Sequence, residues 1–323
     1  MIGLGGANGD GVRLTNGSSN TTVGGDTVAE RNVISGNTGD GIEINGADNN
    51  AVVGNYIGTN ASGLAAVPNA LGIRIDNGAQ DTTIGGSLAS QRNVISGNAG
   101  DGITVDASTG TWITGNYIGT DETGLDELPN QSVGVRLNGD GVVLGTDVDG
   151  VDDATEGNVI AGNGNGVLDI PQIFVGGDNN RIAGNLVGLA ADGDTHLANG
   201  REGIVVDTAD NTVIGVSGVA NSSIAERNVI VGANGYPAIE VNGGANTRIA
   251  GNHVGVNAAG TAIRGDSTIE GDLISLFDFN AAISNTIIGT NGDGVADALE
   301  GNLIAGGLWS VSTRLFNLSL IHI

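Results

Sequence analysis

The sequence predicts an all-β solenoid: a single-stranded parallel β-helix of about nine coils, each of roughly 30 residues with three short strands. Three recurring elements predict it. Asn-(Val/Tyr/Leu/His)-(Ile/Val) returns at Asn32, Asn55, Asn93, Asn116, Asn158, Asn185, Asn228 and Asn252, and as Asn302-Leu303-Ile304. Gly-Ile-x-Ile appears as Gly11-Val12-Arg13-Leu14, Gly41-Ile42-Glu43-Ile44, Gly72-Ile73-Arg74-Ile75, Gly102-Ile103-Thr104-Val105 and Gly134-Val135-Arg136-Leu137. Between them lies a third short apolar run, such as Ala51-Val52-Val53-Gly54, Thr82-Thr83-Ile84-Gly85 or Thr111-Trp112-Ile113-Thr114.

Looser copies of Gly-Ile-x-Ile stand at Gly166-Val167-Leu168, Gly203-Ile204-Val205-Val206, Ala238-Ile239-Glu240-Val241 and Asp272-Leu273-Ile274, and successive starts step by 30, 31, 30, 32, 32, 37, 35 and 34 residues. The runs are β-branched, alternate in polarity and are separated by Gly, Asn, Asp and Ser, as strands are. One coil cannot bury its inner face alone, but stacked coils bury a continuous core. At about 4.8 Å per coil, nine coils make a rod on the order of 43 Å long. Alternate coils resemble each other most closely (Arg31 with Arg92, Asn55 with Asn116), a 61-residue double repeat. Long and short turns are therefore expected to alternate, with the longer loops at two different corners.

The recurrent Asn has a physical reading. At one corner of successive coils, side-chain amides stack and bond along the axis, as Asn ladders do in cross-β stacks. The neighbouring Gly allows the turn a positive φ. The expected ladder is Asn32, Asn55, Asn93, Asn116, Asn158, Asn185, Asn228, Asn252 and Asn302.

Composition narrows the partners. Of 323 residues, 36 are acidic and 11 basic, for a net charge of −25, and every basic residue is Arg. Such a surface repels nucleic-acid phosphates and anionic membranes and suits cations. Aromatics are 3%, so the core is aliphatic, and the absence of Cys excludes disulfides and thiol chemistry. No apolar run is long enough to span a bilayer. The start, Met1-Ile2-Gly3-Leu4-Gly5-Gly6, reads as the interior of a repeat. Leu318-Ser319-Leu320-Ile321-His322-Ile323 matches the translation of a transposon-derived library adapter, CTGTCTCTTATACACATC. The expected division is a β-helix over 1–317, truncated at both ends, and an adapter-derived tail over 318–323 of a metagenomic fragment.

With these repeats over essentially the whole chain to about residue 310, the sequence resembles the right-handed parallel β-helix repeat proteins of bacterial and archaeal surfaces, and it is similar to the broader pectin-lyase-like superfold. The resemblance implies a right-handed coil and an extracellular or cell-surface location. It implies no single activity, because that superfold hosts lyases, hydrolases, epimerases, tailspikes and adhesins.

Two groups of residues are candidates for chemistry. The loop with Asp147, Asp149, Asp153 and Glu156, and its counterpart with Asn291, Asp293, Asp297 and Glu300, share the spacing (Asp/Asn)-x-Asp-Gly-x-x-Asp-x-x-Glu. This resembles the body of an EF-hand-type calcium loop, in which oxygens curl round the ion and a final Glu closes it. Gly145 and Gly289 stand where that motif opens on Asp. The expected cofactor is Ca2+, and the alternative is an acidic turn whose side chains cap local amides.

The second group is the outward face of the Gly-Ile-x-Ile column, which reads Arg13, Glu43, Arg74, Thr104, Arg136, Leu168, Val205, Glu240. Two residues on stand Thr15, Asn45, Asp76, Asp106, Asn138, Asp207 and Asn242. Asp76 and Asp106, one coil apart and flanked by Arg74 and Arg136, are the candidate catalytic residues, since paired carboxylates use such a separation. The resemblance implies that an Arg on this face can serve as base in a lyase. The competing reading is a surface charge ladder. Neither the Gly-His-Gly of polygalacturonase-like hydrolases nor the Asp-Pro-His-Glu of alginate epimerases is present. His196 and His253 have no partners at metal-ligand spacing, and His253 takes the place of Val33 and Tyr56. The expected function is a non-enzymatic secreted or surface module, structural, adhesive or glycan-binding and calcium-stabilised. The alternative is a polysaccharide lyase or glycoside hydrolase on the Arg/Asp face.

Overall fold

The computed structural model describes residues 9–15, 17–164, 170–197, 200–233, 235–265, 272–278, 281–307 and 309–314. The chain is a parallel β-helix with three faces. Among the described residues, face one has ten strands, Val12–Thr15, Ile42–Asn45, Ile73–Asp76, Ile103–Thr109, Val135–Asp140, Ile173–Val175, Ile204–Val206, Ile239–Val241, Asp272–Phe277 and Trp309–Arg314. Face two has nine, from Thr22–Gly24 to Ile287–Ile288, and face three has nine two-residue strands, from Val33–Ile34 to Leu303–Ile304. Strands of neighbouring coils pair in parallel and in step, so Ile42 meets Ile73 and Tyr56 meets Val94. Coils are numbered 1 to 9 by their face-three strand.

Alternation within each strand sends one set of side chains inward. Ile42, Ile44, Ile73, Ile75, Ile103 and Val105 of face one, with their equivalents on the other faces, are fully buried in one continuous core. Each such side chain stabilises the stack by about 1.5–3 kcal/mol through burial.

The corners alternate. Between faces two and three, even coils turn on a Gly-Asn pair (Gly54 and Asn55, Gly115 and Asn116), whereas odd coils insert a loop with a single helical turn, such as Val28–Glu30, Ala89–Gln91 or Ile224–Glu226. Between faces three and one the even coils carry the long connection, a hairpin closed by the antiparallel bridges Thr59 to Ala66, Thr120 to Glu127, Leu189 to His196 and Val256 to Ile263. Hairpins two coils apart stack directly: the Glu122 amide donates to the Gly63 carbonyl, Ala191 to Gly124 and Ala258 to Gly193. The tight corner requires glycine. Gly115 has φ +67°, and a side chain there would run into the Gly86 carbonyl.

Two register expectations are corrected. The sixth strand of face one is Ile173–Val175, so Arg136 faces Phe174 and not Leu168. Gly166-Val167-Leu168 lies outside the described residues, as does the segment 318–323. The sixth coil reaches its inward pair later because the connection before it is longer, and Ile173 and Val175 fill the core instead. In coil 9, Ile239 pairs with Ile274 and Val241 with Leu276, one residue later than Asp272-Leu273-Ile274 suggests.

Candidate functional site

Asparagine amides run along the axis at the corner between faces two and three. Asn32, Asn55, Asn93, Asn116, Asn158, Asn185, Asn228, Asn252 and Asn302 form an unbroken chain, each Nδ2 donating to the next Oδ1 at 2.9–3.2 Å. Each Oδ1 also accepts the backbone N–H of the asparagine before it. A second ladder, which the three recurring elements do not reveal, runs Asn37, Asn69, Asn98, Asn130, Asn163 and ends on Gln172. Its sequence signal is an Asn in every coil, obscured because the hairpins vary its distance from Gly-Ile-x-Ile.

On face one the arginines are engaged. Arg13 pairs with Glu43 at 2.7 Å, Arg136 with Asp101 at 2.7 Å, and Arg74 lies 3.0 Å from Asp40 without hydrogen-bond alignment. Arg136 also covers the ring of Phe174 at 5.1 Å. Burial holds the Asp40 carboxyl above its usual range, although Arg74 opposes this.

Asp76 and Asp106 stand side by side one coil apart, with Ile75 paired to Val105 just before them. Burial raises the Asp76 carboxyl, Arg74 opposes and Asp106 adds to it, and its Oδ1 is buried without a hydrogen-bond partner. Asp106 accepts from Asn138 Nδ2 at 2.7 Å. The structure therefore brings Asp76 and Asp106 together but assigns Arg74 and Arg136 to other carboxylates.

The odd-coil loops end on a residue that closes the loop from within. Glu156 Oε2 accepts the Asp147 amide at 3.1 Å, Glu226 accepts Ser217 at 2.8 Å, and Glu300 accepts Asn291 at 3.1 Å. Gln91 accepts the Leu88 amide three residues before it, as Glu226 also accepts that of Ser223. Glu156, Glu226 and Glu300 are buried, and a buried carboxylate needs a counter-charge. The first residue of the preceding even-coil strand on face two supplies it for two of them. Arg181 meets Glu226 at 2.9 Å, and Arg248 meets Glu300 at 2.6 Å. At that register position coil 2 has Ala51, matched to the uncharged Gln91, and coil 4 has Trp112. Among the described residues, Glu156, which follows Trp112, thus has no arginine beside it.

In its place stand two more carboxylates. Asp147, Asp153 and Glu156 each bring an oxygen within 4.8 Å of the others. The carboxyl groups of these loops differ accordingly. Burial drives Glu156 upward, and Asp147 and Asp153 add to it despite hydrogen bonds from the Asp147 amide and Thr146. For Glu226 burial is outweighed by Ser217, Ser223 and Arg181, and its carboxyl is held low.

Asp149 lies outside this cluster and accepts from the Val151 amide at 2.7 Å. In the second loop Asp293 accepts from Asn291 Nδ2 at 2.9 Å, Asp297 accepts from the Gly294 amide, and Glu300 lies against Arg248 without hydrogen-bond alignment. Chemically, the first loop can offer three oxygens to a hard cation.

No protein-family profile matches the chain, and no curated protein matches it. Among solved structures, it is similar to the A-modules of two mannuronan C-5 epimerases from Azotobacter vinelandii. For AlgE6 the identity is 14% and the TM-score 0.43, over 98% of this chain and 78% of that one. For AlgE4 they are 14% and 0.44, over 97% and 84%. It is also similar to the Dettilon tailspike protein gp208, with 15% identity and a TM-score of 0.42, over 95% of this chain and 60% of that one.

Proposed function

We propose that the chain is a non-enzymatic β-helix module, extracellular or on a cell surface, that presents face one to glycans and is stiffened by Ca2+ at coil 5. The observation that carries the glycan reading is the composition of face one around coils 4 to 6. The half-buried Phe174 lies beside the Arg136 guanidinium, next to the Asp106–Asn138 pair. Sugars offer C–H faces to aromatic rings and paired hydroxyls to planar amides and carboxylates, which is the mixture this strip contains. The net charge of −25 favours neutral glycans over polyanionic ones. Affinity electrophoresis through gels containing neutral polysaccharides tests this. Migration of the wild type should be retarded and that of Phe174→Ala should not; equal migration of both in every gel removes the reading.

The calcium part rests on the unmatched Glu156. Where Arg181 and Arg248 neutralise the corner, no ion is needed; beside Trp112 a divalent cation takes the guanidinium's role, held by Asp147, Asp153 and Glu156. Ca2+ should raise the melting temperature of the wild type but not of Asp153→Ala, whereas Asp297→Ala should respond as wild type does. A response that survives Asp153→Ala contradicts this assignment.

One observation favours a second reading, a polysaccharide lyase or glycoside hydrolase: the Asp76 carboxyl is held high beside Asp106 with one oxygen unpartnered. Product formation from any polysaccharide that is lost in Asp76→Asn would establish it.

A further inference from the structure

Three rings on face three are clasped alike. Tyr56, Tyr117 and His253 occupy one file, paired in register with Val33, Val94 and Val229 of the coil before. Beneath each lies an arginine whose Nε donates to the carbonyl of the corner glycine: Arg31 to Gly54 at 3.2 Å, Arg92 to Gly115 at 3.0 Å and Arg227 to Gly251 at 3.0 Å. Arg31 and Arg92 stack over their tyrosines at 4.1 Å. Above each ring sits a hairpin glycine at positive φ, Gly63, Gly124 or Gly260, where a side chain would strike Tyr56, Tyr117 or His253. The clasp is therefore arginine, ring and hairpin, and in coil 8 the ring is titratable near neutral pH.

We propose that His253 makes the coil 8 clasp acid-labile: protonating it opens the hairpin formed by residues 255–265 while the tyrosine-based clasps stay shut. The geometry gives the reason. His253 is 8% exposed, and its Nδ1 is buried without a hydrogen-bond partner. A second proton would thus enter a site with no acceptor on that nitrogen and a guanidinium alongside. Val229 and Leu303 flank it on adjacent coils. Arg227 is the charged group that acts on it; the Asn257 and Ala258 backbone partly offsets this, and among the described residues no carboxylate does.

Burial first, and Arg227 second, hold the folded imidazole below its ordinary range. The clasp is thus fully stable above the unfolded value of about 6.5 and loses stability as pH falls through the lower folded value.

The test is backbone hydrogen exchange at pH 7.5 and 5.0, corrected for the chemical rate, with hairpin 119–130 over Tyr117 as internal reference. In the wild type, protection of 253–265 should fall by about tenfold for each unit separating the folded and unfolded values, once the pH is below both. The reference hairpin should keep its protection, and His253→Tyr should keep it at both. Should His253→Tyr misfold, Arg227→Gln must raise the pH at which the wild-type His253 signal titrates by NMR. Equal loss in both hairpins, unaltered loss in His253→Tyr, or a His253 signal titrating at or above the ordinary value overturns the proposal.

Discussion

Asn116 shows what one ladder residue does. Its amide donates to Asn158 Oδ1 and to the Ile84 and Thr114 carbonyls, and its own oxygen accepts from Asn93. Asn116→Ala leaves buried donors and acceptors unpaired at about 1–3 kcal/mol each. The variant should lose at least about 3 kcal/mol in chemical denaturation. The exposed file Asn179, Asn211, Asn246 and Asn285 is also hydrogen-bonded, but water can replace its partners. Asn211→Ala should cost less than about 1 kcal/mol. Equal losses would mean that burial does not govern the ladders.

The ladder positions were legible because Asn32 and its equivalents keep a fixed place next to an apolar pair. The charged partners were not. Asp101 and Arg136 are 35 residues apart, and only the stacking of coils makes them neighbours.

At the scale of the loop, the counter-charge is the determinant. Removing Arg181 strands a fully buried Glu226, and such a loss costs about 3–5 kcal/mol. Arg181→Met should therefore be strongly destabilised, and adding Glu226→Gln should recover most of the loss; absence of recovery would assign the cost to packing. Beneath the coil 5 loop, Trp112→Arg should supply a guanidinium to Glu156, raise the melting temperature without Ca2+ and abolish the calcium response. A full calcium response in Trp112→Arg would show that the two charges do not share one role. The acidic spacing of both loops was legible in the sequence. That their needs differ was not, because Trp112, Arg181 and Arg248 lie on the coil below each loop, over 40 residues from Glu156, Glu226 and Glu300.

Over the whole molecule, repetition made the fold legible and the site obscure. The apolar triplets set three faces and one core, and the 61-residue double repeat corresponds to loops that alternate between two corners. Where repetition breaks, at coil 6, the sequence pointed to Val167 for the core and Leu168 for the outward face, whereas Ile173 and Val175 turn inward and Phe174 takes the outward place. That break also places Phe174, the aromatic platform of the proposed surface, beside Arg136. The net charge of −25 acts on every coil, so raising monovalent salt should stabilise the rod by screening self-repulsion, with or without Ca2+. A melting temperature that falls as salt rises would contradict that view.

The most direct test of the module reading is a calorimetric titration of neutral oligosaccharides into the Ca2+-loaded protein, with the same samples checked for cleaved, unsaturated or epimerised sugar. The reading predicts binding that is lost in Phe174→Ala, unchanged in Asp76→Asn, and accompanied by no product. Product that disappears in Asp76→Asn would contradict it and make face one an active site.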